Sequence, residues 1–263
     1  MDARELYRAG KLAEAIVAMN EEVRNNPLDT ARRGFLSELL CIAGNHERAD
    51  KLLDAIVTQE PQAAPNIALI RQLVRADLSR RQLWTEGRVP EFLGEPTPAL
   101  RALLQAVIAT RAGDHAAAAA LAAEAENVRP KTSGACGDKP FDDFRDADDL
   151  HSAFFEVLTS TGKYFWIPTE RVETVEFRAP TRPRDLLWRR AHMVVKDGPD
   201  GEVFLPAVYC GSETKDEAAQ LGRTTDWVGG DGAPVRGVGQ RTFVVGDDAV
   251  AILDLTTLRF GAV

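Results

Sequence analysis

The chain has 263 residues, 44% hydrophobic and 27% charged, which is enough for one large domain or two modest ones and too apolar for a disordered chain. Its formal net charge of −8 argues against a nucleic-acid binder that neutralises phosphates, and no apolar run reaches the roughly 20 residues needed to span a bilayer. Three widely spaced cysteines, Cys41, Cys136 and Cys210, fit neither a disulfide framework nor a zinc site, and the amino terminus shows no signal-peptide pattern, so free thiols in the cytoplasm are expected.

The first half carries an internal repeat. Ala9-Gly10-Lys11-Leu12-Ala13-Glu14-Ala15 recurs as Ala43-Gly44-Asn45-His46-Glu47-Arg48-Ala49, and the copies are followed by Pro27 and Pro61. The pairs Gly10/Gly44, Ala15/Ala49 and Pro27/Pro61 share one offset of 34 residues, the tetratricopeptide (TPR) period. A third copy holds Gly113 and ends at Pro130, 69 residues beyond the second, so the unit between them is degenerate. Glycine ends the first helix of each pair in a left-handed conformation, alanine permits close helix approach, and proline stops the second helix. Apolar residues at helical spacing, such as Leu36, Leu39 and Leu40, need a neighbouring hairpin to cover them.

A further helix is predicted over Ile67–Trp84, an interrupting loop over Gly87–Pro96, and a last hairpin over Leu100–Thr110 and Ala116–Val128. Residues 1–130 are thus expected to form a TPR-like helical domain and 131–140 a Gly/Pro-bearing linker. Residues 141–263 are expected to form a β-rich α+β domain that folds separately. One helix is expected over Phe141–Thr161, from Leu150, Phe154, Val157 and Leu158 on one helical face. Short β-rich runs follow at Tyr164–Ile167, Val172–Phe177, Leu187–Val195, Val203–Tyr209, Thr242–Val245 and Val250–Leu255, with a hairpin turn at Asp197–Gly201. The fold class is α+β, a TPR-like α-α superhelix followed by a smaller antiparallel β-rich domain.

Catalytic signatures are sparse. There is no phosphate loop, G-x-S-x-G elbow or H-E-x-x-H helix, and Gly230-Asp231-Gly232 meets Val235 where a dinucleotide fingerprint needs a third glycine. His46, His115, His151 and His192 are scattered and read as exposed turn residues. The cluster Arg145, Asp146, Asp148 and Asp149 beside His151 has three readings: helix capping with ion pairing, a divalent-metal site serving a metal-dependent hydrolase, or a partner-binding patch. Arg184 with Asp185, Arg223 with Asp226, and Arg236 with Arg241 supply cations for an ionic network or a partner surface. Trp84, Phe92, Trp166, Trp188 and Trp227 are core residues or partner anchors.

Several longer strings carry a family resemblance. Gly162-Lys163-Tyr164-Phe165-Trp166-Ile167-Pro168, Pro183-Arg184-Asp185-Leu186-Leu187-Trp188-Arg189, Leu221-Gly222-Arg223-Thr224-Thr225-Asp226-Trp227 and Pro234 through Arg241 resemble the ImpE family, also called SciE or TagJ. Arg145 through Leu150 and Gly87 through Leu93 match as well. The resemblance implies a cytoplasmic, non-enzymatic accessory protein of the bacterial type VI secretion system without a cofactor. It also implies a partner, the amino-terminal helix of the small contractile-sheath subunit, with the sheath-disassembling ATPase as a second. A stack of helical hairpins offers a groove suited to such a helix; neither nucleic acid nor membrane is an expected partner.

Overall fold

Local signals start and stop the first helices. In the computed structural model, which describes residues 1–261, α1 (Ala3–Arg8) opens on a reciprocal cap in which Asp2 Oδ1 accepts from the Glu5 amide at 2.8 Å and Glu5 returns the contact at 2.9 Å. Helices α2 (Leu12–Asn25), α3 (Thr30–Ile42) and α4 (His46–Gln59) follow, then α5 (Ala64–Thr85), α6 (Pro98–Arg111) and α7 (His115–Val128). Gly10, Gly44 and Gly113 turn the hairpins at φ of 86°, 78° and 77°, a region closed to most side chains. The repeat alanines Ala15, Ala49 and Ala118 are fully buried, as close helix approach requires. The degenerate unit has a physical form: α5 has no partner helix of its own, and the loop from Glu86 to Thr97 stands where one would be.

The second half is built on an antiparallel sheet of eight strands. It contains β1 (Gly134–Cys136), β2 (Lys139–Phe141), β4 (Phe154–Leu158), β5 (Tyr164–Pro168), β6 (Val172–Phe177), β7 (Trp188–Val195), β8 (Asp200–Pro206) and β13 (Thr257–Phe260). Their order is β2-β1-β13-β6-β7-β8-β4-β5. A smaller sheet joins β3 (Phe144–Asp146), β11 (Thr242–Val245) and β12 (Asp248–Ala251), and β9 (Thr225–Gly230) pairs with β10 (Ala233–Gly239) as a separate hairpin. One short helix, α8 (Glu217–Gln220), precedes that hairpin.

Three sequence expectations need correction. Phe141–Thr161 is not a helix: it holds β3 and β4 and a run of tight turns. Because β4 is buried on both faces, its sequence shows no alternation, and its apolar spacing imitates a helix. Residues 131–140, read as a linker, instead contribute β1 and the start of β2, with Gly134 paired to Phe260 and to Phe141. The two halves also share a core. Phe154, Glu156 and Leu158 face the helices while Phe155 and Val157 lie on the opposite face, in a second core, following the two-residue period of a strand. Phe154 stacks on Trp166 at 4.0 Å, and Phe92 from the interrupting loop meets the same indole edge-on at 6.3 Å. The loop also closes a sheet edge: the Glu91 amide donates to Tyr164 O at 2.9 Å and the Trp166 amide to Glu91 O at 3.1 Å. On the far face Phe144, Phe155, Phe243 and Phe260 form the second core, with Phe144 and Phe243 stacked at 5.1 Å.

Candidate functional site

Where the halves meet, charged groups are buried together. Glu156 projects from β4 toward α5 and is fully buried. It accepts from Arg80 Nε at 2.9 Å and Nη2 at 2.8 Å, from Arg241 Nη1 at 2.9 Å, and from the Tyr164 hydroxyl. Arg241 reaches back to Asp146 through Nε at 3.0 Å and Nη2 at 2.5 Å. Asp146 also accepts from the Tyr209 hydroxyl at 2.7 Å and from the Asp148 amide at 2.9 Å. Arg80 donates to Val208 O at 3.1 Å. Each side chain in this set therefore finds at least one partner within the chain.

The charges decide what the junction can do. Burial works against ionised Glu156, but Arg80, His151 and Arg241 outweigh it and hold the carboxyl well below the usual range. Asp77 behaves alike: burial opposes its charge, while Arg81, His46 and Arg80 hold it ionised, with His46 Nε2 at 2.7 Å. Tyr164 and Tyr209 are driven upward by burial and by Glu156 and Asp146 respectively, which keeps both phenols protonated. Cys210 is pushed up to about 11 by burial, so its thiol is held in the unreactive form. Neither Glu156 nor Asp77 is poised to deliver a proton, and neither Tyr164 nor Tyr209 to take one. The arrangement suits joining two halves of a chain.

The acidic cluster is bound into turns. Asp148 accepts from the Leu150 amide at 2.8 Å and the Gly237 amide at 2.9 Å, and Asp149 from the Val235 amide at 2.8 Å. Arg145 lies 3.7 Å from Glu126 and 3.6 Å from Asp149. The capping half of the first reading falls with the helix that it required. Among the described residues no three His, Cys, Asp or Glu side chains converge as a metal centre would need. Arg236 lies 3.9 Å over the Trp84 ring and 3.8 Å from Asp148. The remaining candidates are dispersed. Arg184 pairs with Glu38 on α3 at 3.0 Å, Asp185 accepts the backbone amides of Thr181 and Arg182, and Arg223 donates to the last carbonyls of α1, Tyr7 O at 2.9 Å and Arg8 O at 3.0 Å. Asp226 caps the Trp227 amide at 2.8 Å, Trp188 is buried, and Trp227 is 40% exposed on the β9–β10 hairpin.

Sequence reading missed Arg80, Glu156, Asp77 and Tyr209. One signal was present: Leu73, Asp77, Arg80 and Trp84 recur at helical spacing, which puts two charges on a face that also carries apolar groups. His46 and His151 correct the exposed-turn expectation, since both are buried. Both ring nitrogens of His151 lack a hydrogen-bond partner among the described residues, although Nδ1 lies 3.0 Å from Asp148.

A second feature opens to solvent. A cleft of about 490 Å³ runs between α3, α4 and α5 and the segment 181–184, and it joins a neighbouring cleft of about 370 Å³ against α1 through Arg4, Phe35 and Pro183. The chain's own second half thus forms one wall of the groove.

Comparison with known proteins places the molecule. The sequence model of the family described as ImpE protein matches residues 138–259. Over 261 residues the chain is 34% identical to the type VI secretion system accessory component TagJ of Pseudomonas aeruginosa, spanning 99% of this chain and 91% of that one. The chain belongs to the ImpE family. The crystal structure of protein VPA1032 from Vibrio parahaemolyticus superposes with a TM-score of 0.93 at 28% identity, covering 99% of this chain and 98% of that one. The segment matched by the ImpE model contains Asp146, Glu156 and Arg241, whereas Arg80 comes from the helices that precede it.

Proposed function

We propose that this ImpE protein is a non-enzymatic adaptor of the bacterial type VI secretion system. In this reading it binds the amino-terminal helix of the small contractile-sheath subunit and so influences sheath assembly or ATPase-driven disassembly. The observation that carries the reading is the 34% identity to a type VI secretion accessory component over 99% of the chain. The chemistry is compatible: the buried carboxylates are ion-paired, and a solvent-open cleft runs between the helices and residues 180–186. Against the hydrolase alternative, Asp146, Asp148 and Asp149 are each engaged by donors of this chain. Among the described residues no helix is long and apolar enough to cross a membrane, and the adaptor is placed in the cytoplasm by this proposal.

Calorimetric titration of the full chain with a synthetic amino-terminal peptide of the cognate small sheath subunit tests the reading. Saturable one-to-one binding is expected. Absence of heat and of any shift in melting temperature at millimolar peptide would refute it.

A further inference from the structure

We propose that a pocket on the face of the eight-stranded sheet turned away from the helices binds a small uncharged apolar molecule. The site goes beyond the adaptor reading and does not depend on it.

The first observation is a cavity of about 310 Å³ over β5, β4, β8 and β7. Val157, Phe165, Met193 and Val203 line it from the strands, and Leu93 closes one side from the loop between α5 and α6. No residue of the three-stranded sheet lines it, so Leu93, Phe165 and Val203 stay half-buried instead of being covered as Phe155 is.

The second observation is Gly201. It stands in β8 opposite Met193, in unbroken register, and its backbone is not left-handed, so neither a bulge nor a positive φ asks for glycine there. A Cβ placed on it would meet no atom within 4 Å. Glycine weakens a strand, and inside one it marks a place where another group comes close to the backbone. Gly201 lines the cavity, and that group is the cavity's occupant.

The wall decides the chemistry. Its only charged residues, Asp200 and Glu202, follow the alternation of β8 and turn to the opposite face, where Asp200 pairs with His192 at 2.6 Å and Glu202 with Arg190. Beside the wall, Lys196 donates to Glu170 O at 3.1 Å and Arg171 to Leu93 O. A charged ligand would lose its water without meeting a counter-charge. The surroundings are not those of a protein contact either. None of the exposed large apolar side chains lines the cavity, so its apolar surface ends at the mouth, far short of the roughly 800 Å² that each partner buries in a standard interface. The volume falls at the low end of small-ligand sites, about 300–1,000 Å³.

The experiment uses the full chain and two fluorescent probes with the same rings, uncharged N-phenyl-1-naphthylamine and its 8-sulfonate. The uncharged probe should show saturable one-to-one enhancement and bind at least about tenfold more tightly than the sulfonate. Gly201→Leu fills the space above the strand and should weaken the uncharged probe at least about tenfold without lowering the melting temperature. Gly201→Ala, a smaller step into the same space, should give a smaller loss in the same direction. Gly34→Leu, in the cleft beside α3, should leave binding unchanged. No enhancement, equal affinity for the two probes, indifference to Gly201→Leu, or loss in Gly34→Leu would overturn the site. Displacement of the probe by the amino-terminal sheath peptide would overturn it in favour of a partner's side chain, and self-association abolished by Gly201→Leu in favour of a second copy of this chain.

Discussion

Replacing Glu156 with glutamine keeps shape and removes one charge from the centre of the junction. In the wild-type protein the carboxylate holds Arg80 through two hydrogen bonds, at 2.9 and 2.8 Å, and Arg241 through one at 2.9 Å. Stripping one partner from a buried ion pair costs about 3–5 kcal/mol, since the surviving charge remains desolvated. Two features put the expected loss near the lower bound. Asp146 continues to pair with Arg241 at 2.5 Å, and Asp77 stands 3.7 Å from Arg80. A loss of about 3 kcal/mol corresponds to roughly 6–12 °C in melting temperature for a protein of this size. Urea unfolding followed by circular dichroism and by tryptophan fluorescence measures it, with Trp166 a suitable reporter because its indole donates to the Tyr164 hydroxyl at 2.6 Å. Adding Arg80→Met should recover part of the loss, since no unpaired cation then remains at that point. A loss under about 0.5 kcal/mol for Glu156→Gln, or strict additivity in the double variant, would show that the junction is not an energetically coupled unit.

Ala15→Leu and Ala49→Leu insert three carbons at fully buried helix contacts and should each lower stability by about 1–3 kcal/mol, read from the urea midpoint. Gly237→Ala places a Cβ 2.1 Å from the Tyr209 ring, whose hydroxyl is fixed on Asp146, so a loss of at least about 1–3 kcal/mol is expected from the same assay. Glu156, Asp77 and Asp148 have folded pKa values below their unfolded ones. Their stabilising contribution is complete above the unfolded carboxylate range of about 4 and declines as pH falls through the folded values, so urea midpoints should be flat from about pH 7 to pH 5 and drop steeply below about pH 4. Fragment 1–130 should be helical by circular dichroism but melt well below the full chain, because Leu73, Leu103 and their neighbours share a core with Phe154 and Trp166; equal melting would restore separate folding of the halves.

Local rules wrote the helical half legibly into the sequence. A glycine that needs positive φ, an alanine that needs close approach and a proline that needs to stop a helix each have few substitutes, so Gly10, Ala15 and Pro27 announce their roles at a fixed spacing. The strand β4 obeys a different logic. Phe154-Phe155-Glu156-Val157-Leu158 is covered on both faces, and which face each side chain occupies depends on layers contributed by distant residues. The junction was hidden for the same reason. Arg80 and Glu156 are 76 residues apart, and nothing near either one indicates that the other will neutralise it. Arg223 and Glu217 show the remaining difficulty: they cap helix ends from the other half of the chain, Glu217 Oε1 accepting from the Ala13 amide at 2.6 Å where α2 has no cap of its own.

Those caps bear on how such a protein can change through evolution or design. Ordinary helical solenoids lengthen and shorten by whole repeats, since each unit touches only its neighbours. Here the first hairpin is fastened to Arg223 and Glu217, the second to Arg184, and α5 to Glu156 and, through Arg81, to Glu213 at 2.7 Å. A hairpin inserted between α4 and α5 would displace the first two fastenings from their counterparts on the sheet by one repeat while leaving the third in place. The array is keyed to its platform: its outer faces are free to drift, but its number of units is not.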